Sequence, residues 1–208
     1  MDIIVVNGAI SACASGAGWQ RAINLLGLAR ALALTPDVIT YAAAISACEQ
    51  SRSWRQALGF VDEMRRRLVE PNVVACGAAI GACREEWLHA LGLLAAMQAW
   101  RIEPSVVAYD AAISSCAKSG MQSQAVGLFE DMLCRRIRVD VVACNSVIAT
   151  CDGSGRWPQV FKLLGDMQQR SLERDAVTSS AAISATCAIG GHWNWALELL
   201  AWLGRRGP

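Results

Sequence analysis

Residues 38–64 read VITYAAAISACEQSRSWRQALGFVDEM, and residues 106–132 read VVAYDAAISSCAKSGMQSQAVGLFEDM. The two stretches agree at Ile45 and Ile113, Cys48 and Cys116, Ala57 and Ala125, and Met64 and Met132. Sliding the whole chain along itself extends the pattern. Ile10, Ile45, Ile80, Ile113, Ile148 and Ile183 mark six copies, separated by 35, 35, 33, 35 and 35 residues. Cys13, Cys48, Cys83, Cys116 and Cys151 follow the first five isoleucines by three residues, and Cys187 follows the sixth by four. A second column runs through Ala22, Ala57, Ala90, Ala125, Val160 and Ala196, each followed by an apolar pair such as Phe60-Val61 or Leu128-Phe129.

A period near 35 describes a supersecondary unit that cannot bury its own apolar face and must stack on its copies. Within one copy Tyr41, Ile45 and Cys48 lie at i, i+4 and i+7, one face of a helix. The segment SRSWRQ interrupts the apolar pattern, and Ala57, Phe60, Val61 and Met64 resume it as a second helix. Pro36, Pro71 and Pro104 fall just beyond second helices, where proline cannot continue them. Pro158 falls in the first turn of one, where the missing N–H costs little. The unit is helix–turn–helix. The expected fold is all-α, a right-handed α-solenoid superhelix of six such repeats, at 3–37, 38–72, 73–105, 106–140, 141–175 and 176–208, forming one domain over 1–208. The third copy is two residues short and the sixth one residue long, both between the two helices, which assigns the changes to a connecting loop.

Composition agrees with a packed chain. Of 208 residues, 54% are hydrophobic and 18% charged, enough to build a core and too apolar for a disordered segment. A net charge of +1 favours no particular charged partner. The longest apolar runs, such as Val73 to Cys83, are too short to span a bilayer, and no basic region precedes the N-terminal apolar run. No polar capping helix flanks the array, so either it is part of a longer one or its ends pair with something. Six of the nine cysteines share one column, a repeat apart, and none forms a CxxC pair, so they read as small buried hydrophobes and not as metal ligands. Reduced thiols go with an intracellular setting. His89 and His192 lack a recurrent carboxylate or cysteine partner, and no catalytic or metal centre is expected.

The openings DVITYAAAI, NVVACGAAI, SVVAYDAAI and DVVACNSVI, with the closings TPD, EPN and EPS, resemble the pentatricopeptide repeat. Its consensus runs roughly V-V-T-Y-N-x-L-I, then A-L-x-L-F-x-x-M, and ends in P-D. The tetratricopeptide repeat has a 34-residue period and neither of these signatures. The resemblance covers nearly the whole chain and implies sequence-selective binding of single-stranded RNA, one base per repeat. By that resemblance the fifth and last residues of each repeat face the base edge. These are Asn7 with Asp37, Ala42 with Asn72, Gly77 with Ser105, Asp110 with Asp140, and Asn145 with Asp175; Ser180 has its closing partner beyond the chain. Asn with Asp matches the family's pairing for uracil, whereas the second, third and fourth repeats carry no standard reading pair. The second residues, Ile4, Ile39, Val74, Val107, Val142 and Val177, are β-branched and stiff, and would cover the flat faces of bases. Lys118 matches the family's lysine near the end of the first helix, directed at phosphate.

The same resemblance places Trp19, Trp54, Trp87, Trp157 and Trp193, at the starts of second helices, in inter-repeat packing away from RNA. Arg65 to Arg67, Arg135-Arg136 and Arg205-Arg206 end second helices, where positive charge complements the helix dipole. The family's editing branch carries H-x-E and C-x-x-C deaminase signatures, and neither occurs here. The expectation is therefore a non-catalytic RNA-binding module without a cofactor, working in RNA processing, stability or translation. Mitochondrion and chloroplast are where the family mostly works. A protein-binding scaffold of tetratricopeptide type is the alternative, and the specificity arm of a larger RNA-processing enzyme is a third reading.

Overall fold

The computed structural model describes residues 2–15, 18–137, 139–150, 162–167, 178–180 and 183–184. Among them nine helices have stated bounds, residues 162–167, 178–180 and 183–184 are also helical, and no strand occurs. First helices are α1 (Ile3–Ser15), α3 (Val38–Gln50), α5 (Val73–Ala82), α7 (Val106–Lys118) and α9 (Val141–Thr150). Second helices are α2 (Trp19–Ala31), α4 (Trp54–Arg66), α6 (Trp87–Ala99) and α8 (Gln122–Cys134). Backbone contacts divide the chain into two compact units, Met1–Ser115 and Cys116–Pro208.

In the first unit α1 packs on α3 and α3 on α5, so the first helices form one layer. Each is paired with its own second helix, and α2 and α4 also touch the next first helix, α3 and α5. This is an all-α solenoid built by stacking helix hairpins. In the second unit α8 packs on α9.

The isoleucine column is the core. Ile10, Ile45, Ile80, Ile113 and Ile148 are fully buried, as are Cys48, Cys83 and Cys116, Ala22, Ala57, Ala90 and Ala125, and Met64, Met97, Met132 and Met167. Each buried isoleucine contributes about 1.5–3 kcal/mol relative to exposure. Small residues in the alanine column let neighbouring helices approach closely. Burial pushes the Cys48, Cys76 and Cys116 thiols up to about 11. Burial, with a contribution from Glu86, pushes Cys83 to about 12. Such thiols stay protonated and inert at neutral pH. Cys151 and Cys187 lie outside the described residues.

Second helices end in a repeated device. The N–H groups of Leu34, Val69, Ile102 and Ile137 reach back to the carbonyls of Ala29, Met64, Met97 and Met132 at 2.8–3.0 Å. Between them Ala33, Leu68, Arg101 and Arg136 adopt left-handed backbone, with φ of 54–59°. This is the Schellman closure, here made without glycine. It turns the chain toward the next first helix before the prolines of the linkers. The absence of glycine hid this closure from the sequence, although Pro36, Pro71 and Pro104 marked that the first three second helices end there.

The shortened third copy departs from expectation. The two missing residues are not taken from a loop. Helix α5 has 10 residues against 13 in α3, and the connection 83–86 is slightly longer than 51–53. The last turn of α5 is given up so that Cys83 and Trp87 keep their packing positions. The buried Ser115 hydroxyl donates to the Cys83 carbonyl at 2.8 Å, supplying a partner at the early helix end.

The aromatic and arginine columns engage their neighbours. Trp19, Trp54 and Trp87 are the first residues of α2, α4 and α6, and the Trp54 ring lies 4.4 Å from that of His89 in the next repeat. Arg65 stacks on Trp100 at 4.5 Å, Arg67 pairs with Glu63 at 2.8 Å and Arg135 with Asp131 at 2.9 Å. Glu63 also receives Arg30 of α2 at 2.6 Å and the buried Tyr41 hydroxyl at 3.1 Å, tying the first repeat to the second. Trp157, Trp193, Arg205 and Arg206 lie outside the described residues.

Candidate nucleic-acid interface

The first turn of every described first helix shows the same pattern. Its second residue is a large aliphatic side chain turned out to solvent. Ile4, Ile39, Val74, Val107 and Val142 are between 59% and 71% exposed, although Ile10, Ile45, Ile80, Ile113 and Ile148 six residues on are fully buried. A helix in a solenoid gains nothing from an exposed β-branched residue, which is also a poor helix former. It recurs in each described repeat, one apolar, stiff side chain exposed per first helix. Val177 lies outside the described residues.

Three residues further along each helix, on the same face, come Asn7, Ala42, Gly77, Asp110 and Asn145. All except Gly77 are half-buried. Ser180, in the same register, is exposed. Ala42 and Gly77 bring no polar group to this row. Little of Gly77 itself reaches solvent, yet a Cβ built on it would meet no heavy atom within 4 Å, so there is space for a side chain.

The residues preceding α3, α5, α7 and α9 have a structural task that sequence reading missed. Asp37 is the N-cap of α3, accepting the Thr40 N–H at 2.8 Å. Asn72 accepts the Ala75 N–H at 2.8 Å, Ser105 the Ala108 N–H at 3.3 Å, and Asp140 the Ala143 N–H at 2.9 Å. Asp, Asn and Ser are the preferred N-caps, and their place just before an apolar periodic segment was the signal that could have found them. Asp175 lies outside the described residues.

Around Asp37 the bonds form a closed cluster. The Thr40 hydroxyl accepts the Asp37 backbone N–H at 3.2 Å, completing a capping box, and lies 2.6 Å from Asn7 Oδ1 and 2.8 Å from Asp37 Oδ1. The Asn7 amide Nδ2 approaches Asp37 Oδ1 at 3.4 Å. Burial alone would push the Asp37 carboxyl up. The backbone N–H and hydroxyl of Thr40, the Asn7 amide and the Ile39 N–H outweigh it, and the net shift is downward. At neutral pH Asp37 is a carboxylate, able only to accept hydrogen bonds. The contact recurs in the second unit, where the Thr178 hydroxyl lies 2.7 Å from Asn145 Oδ1. The structure thus brings Asn7 to Asp37. It adds Thr40 and Thr178, which sequence reading had not singled out.

Lys118 is exposed in the last turn of α7. Among the described residues no group of His, Cys, Asp or Glu is placed to hold a metal ion, and no helix is long and apolar enough to cross a membrane.

Stacked helix hairpins, each exposing an aliphatic residue at the same position, define a helical-repeat protein. Residues 25–86 match the pattern of the pentatricopeptide repeat domain, and residues 107–137 match that of the PPR repeat. The chain is a pentatricopeptide repeat protein. Its fold resembles that of the pentatricopeptide repeat protein PPR10 from maize, at 24% identity and a TM-score of 0.74, over 99% of this chain and 30% of that one. PPR10 in complex with an 18-nt psaJ RNA element gives 22% identity and a TM-score of 0.73, over 100% of this chain and 34% of the other. The PPR domain of Arabidopsis thaliana protein-only RNase P 1, in complex with tRNA, gives 14% and 0.76, over 85% and 94%. The chain therefore spans about a third of the length of PPR10. No curated protein matches it.

Proposed function

We propose that the chain is a non-catalytic module that binds single-stranded RNA, one base per repeat, with repeats at 3–37, 38–72, 73–105, 106–140, 141–175 and 176–208. The observation that carries this reading is the column Ile4, Ile39, Val74, Val107 and Val142, exposed at one position per first helix. Flat apolar partners spaced one per repeat would cover it, and the faces of unstacked bases have that form. Three residues on from Ile4, Asn7 meets the N-cap of the next repeat, Asp37, and the pair offers hydrogen bonds to a base edge. PPR10 and protein-only RNase P 1, whose folds this chain resembles, are each seen with RNA. Ala42 and Gly77 cannot hydrogen-bond a base, so the middle of the array would tolerate several bases.

Within the cell we place the module in organellar RNA processing, stability or translation, the setting in which the family mostly works. The test is filter binding at low salt of randomised single-stranded RNA against the same RNA annealed to its complement. The single strand should be retained and the duplex should not. Retention of neither would favour a protein-binding scaffold instead.

A further inference from the structure

We infer that Thr40 and Thr178 are positioning residues for base selection: each fixes which way the carboxamide of the preceding repeat, Asn7 or Asn145, faces a bound base. The inference rests on the RNA-binding reading and names the kind of base edge that the site accepts.

A carboxamide has one accepting end and one donating end, and turning it over exchanges them. Thr40 comes from the next repeat, is fully buried, and has a single hydroxyl proton. That hydroxyl already accepts the Asp37 backbone N–H at 3.2 Å, and its one proton faces two acceptors, Asn7 Oδ1 at 2.6 Å and Asp37 Oδ1 at 2.8 Å, the shorter contact being to the amide oxygen. On the amide's other side stands the Asp37 carboxylate, 3.4 Å from Nδ2, which accepts only. A flipped amide would set its oxygen against that carboxylate, two acceptors facing each other with no proton between them, and would give up the short contact from the threonine hydroxyl to the amide oxygen. The cluster therefore holds the carbonyl on threonine and leaves an amide N–H for a ligand. The same contact, 2.7 Å, joins Thr178 to Asn145 33 residues earlier.

Among the described repeats, threonine stands at the third position only after an asparagine. The repeats with Ala42, Gly77 and Asp110 at the fifth position are followed by Ala75, Ala108 and Ala143 at that place. There is no amide there to orient.

An outward amide N–H beside an accepting carboxylate complements an edge that carries a carbonyl next to a ring N–H. Uracil and guanine have such an edge; cytosine and adenine place an amino group beside a bare ring nitrogen. Without the threonine hydroxyl the amide can turn its oxygen outward and receive an amino group, and the distinction should weaken.

Two asparagine repeats four apart call for an RNA of period four. Four oligonucleotides of repeating XAAA, with X as U, G, C or A, supply both repeats with the same base in one register. The unmodified protein should hold the U or G strand above the C and A strands, and the U and G arms decide which base is taken. In the double variant Thr40→Val and Thr178→Val, the preference over the C strand should fall about tenfold, as expected when one buried polar partner is withdrawn. Thr40→Ser with Thr178→Ser, which restores a hydroxyl, should recover it. A loss of folding stability would weaken all four strands together and leave their ratio alone, and Thr178→Val by itself leaves the α3 capping box intact. If the unmodified protein ranks the four strands equally, the base-reading assignment fails and the inference with it. If it prefers U or G and the valine variant keeps the same ratio, the threonines do not set selection while the RNA reading stands.

Discussion

Replacing Ile39 by alanine and, separately, Ile45 by alanine separates the surface proposed to meet RNA from the core. Both isoleucines lie on the 13-residue helix α3. Ile39 is 63% exposed and Ile45 is fully buried. Complete burial of an isoleucine side chain is worth about 1.5–3 kcal/mol, and at 63% exposure roughly two-thirds of that, about 1–2 kcal/mol, is still available to a ligand. Alanine keeps a methyl group, so Ile39→Ala should weaken RNA binding by about 1 kcal/mol, or roughly fivefold. Its folding stability should stay level or rise by a few tenths of a kcal/mol, because alanine is the better helix former. Ile45→Ala should do the reverse, costing about 2–5 kcal/mol of stability through the cavity it leaves. The assays are urea denaturation for stability and fluorescence anisotropy with a labelled single strand, at protein concentrations where both variants are folded. If Ile39→Ala destabilises as Ile45→Ala does, or leaves affinity unchanged, the exposed column is not a base platform.

Other consequences can be measured on the same preparation. Asp37→Ala should cost about 1 kcal/mol at neutral pH by removing the cap of α3. Because the folded Asp37 carboxyl lies below its ordinary value of 3.8, this contribution is present above that pH and fades as pH falls through the folded value. Denaturation curves of both proteins should converge in acid; a constant difference would mean that the carboxylate is not the cap. Leu68 is 92% exposed and held at φ 58°. Leu68→Gly relieves a left-handed strain of about 1–2 kcal/mol against a glycine entropy cost of about 0.5–1 kcal/mol. The melting temperature should therefore rise slightly, and a fall would contradict the Schellman closure. Arg67 and Arg135 are engaged in ion pairs and Arg65 on Trp100, and on the proposed reading Lys118 is the cation directed at phosphate. Log affinity for RNA should then fall with log salt at about −1 to −3, at roughly −0.7 per neutralised phosphate. A slope steeper than about −5 on that scale would place the arginines on RNA.

The core was legible because burial repeats with the period. Ile45 and Cys48 had to face inward on any helix that satisfied both columns, and the fully buried side chains follow. Only the resemblance singled out Ile39 as a proposed base platform, since nothing about its residue type distinguishes an exposed isoleucine from a buried one until its helix is packed. Asp37 and Asn72 show why a residue type can conceal a second role. The oxygen that could read a base also caps the following helix, and the sequence signals of the two tasks coincide. Thr40 was invisible for a different reason. Its partner Asn7 lies 33 residues away, and their meeting depends on the stacking of α1 on α3. The early end of α5 was misplaced because a period counts residues without saying whether helix or loop gives them up.

The central claim, one base per repeat along a single strand, is tested most directly by the RNA that the protein selects. Asn7 and Asn145 stand in the first and fifth repeats, with Ala42, Gly77 and Asp110 between them. Sequencing the pool retained from randomised single-stranded RNA at low salt should therefore reveal two constrained positions, uracil by the family pairing, with three tolerant positions between them. On this reading the spacing follows from one base per repeat and does not depend on which base is preferred. A retained pool with the composition of the input, or with constrained positions at another spacing, would contradict it.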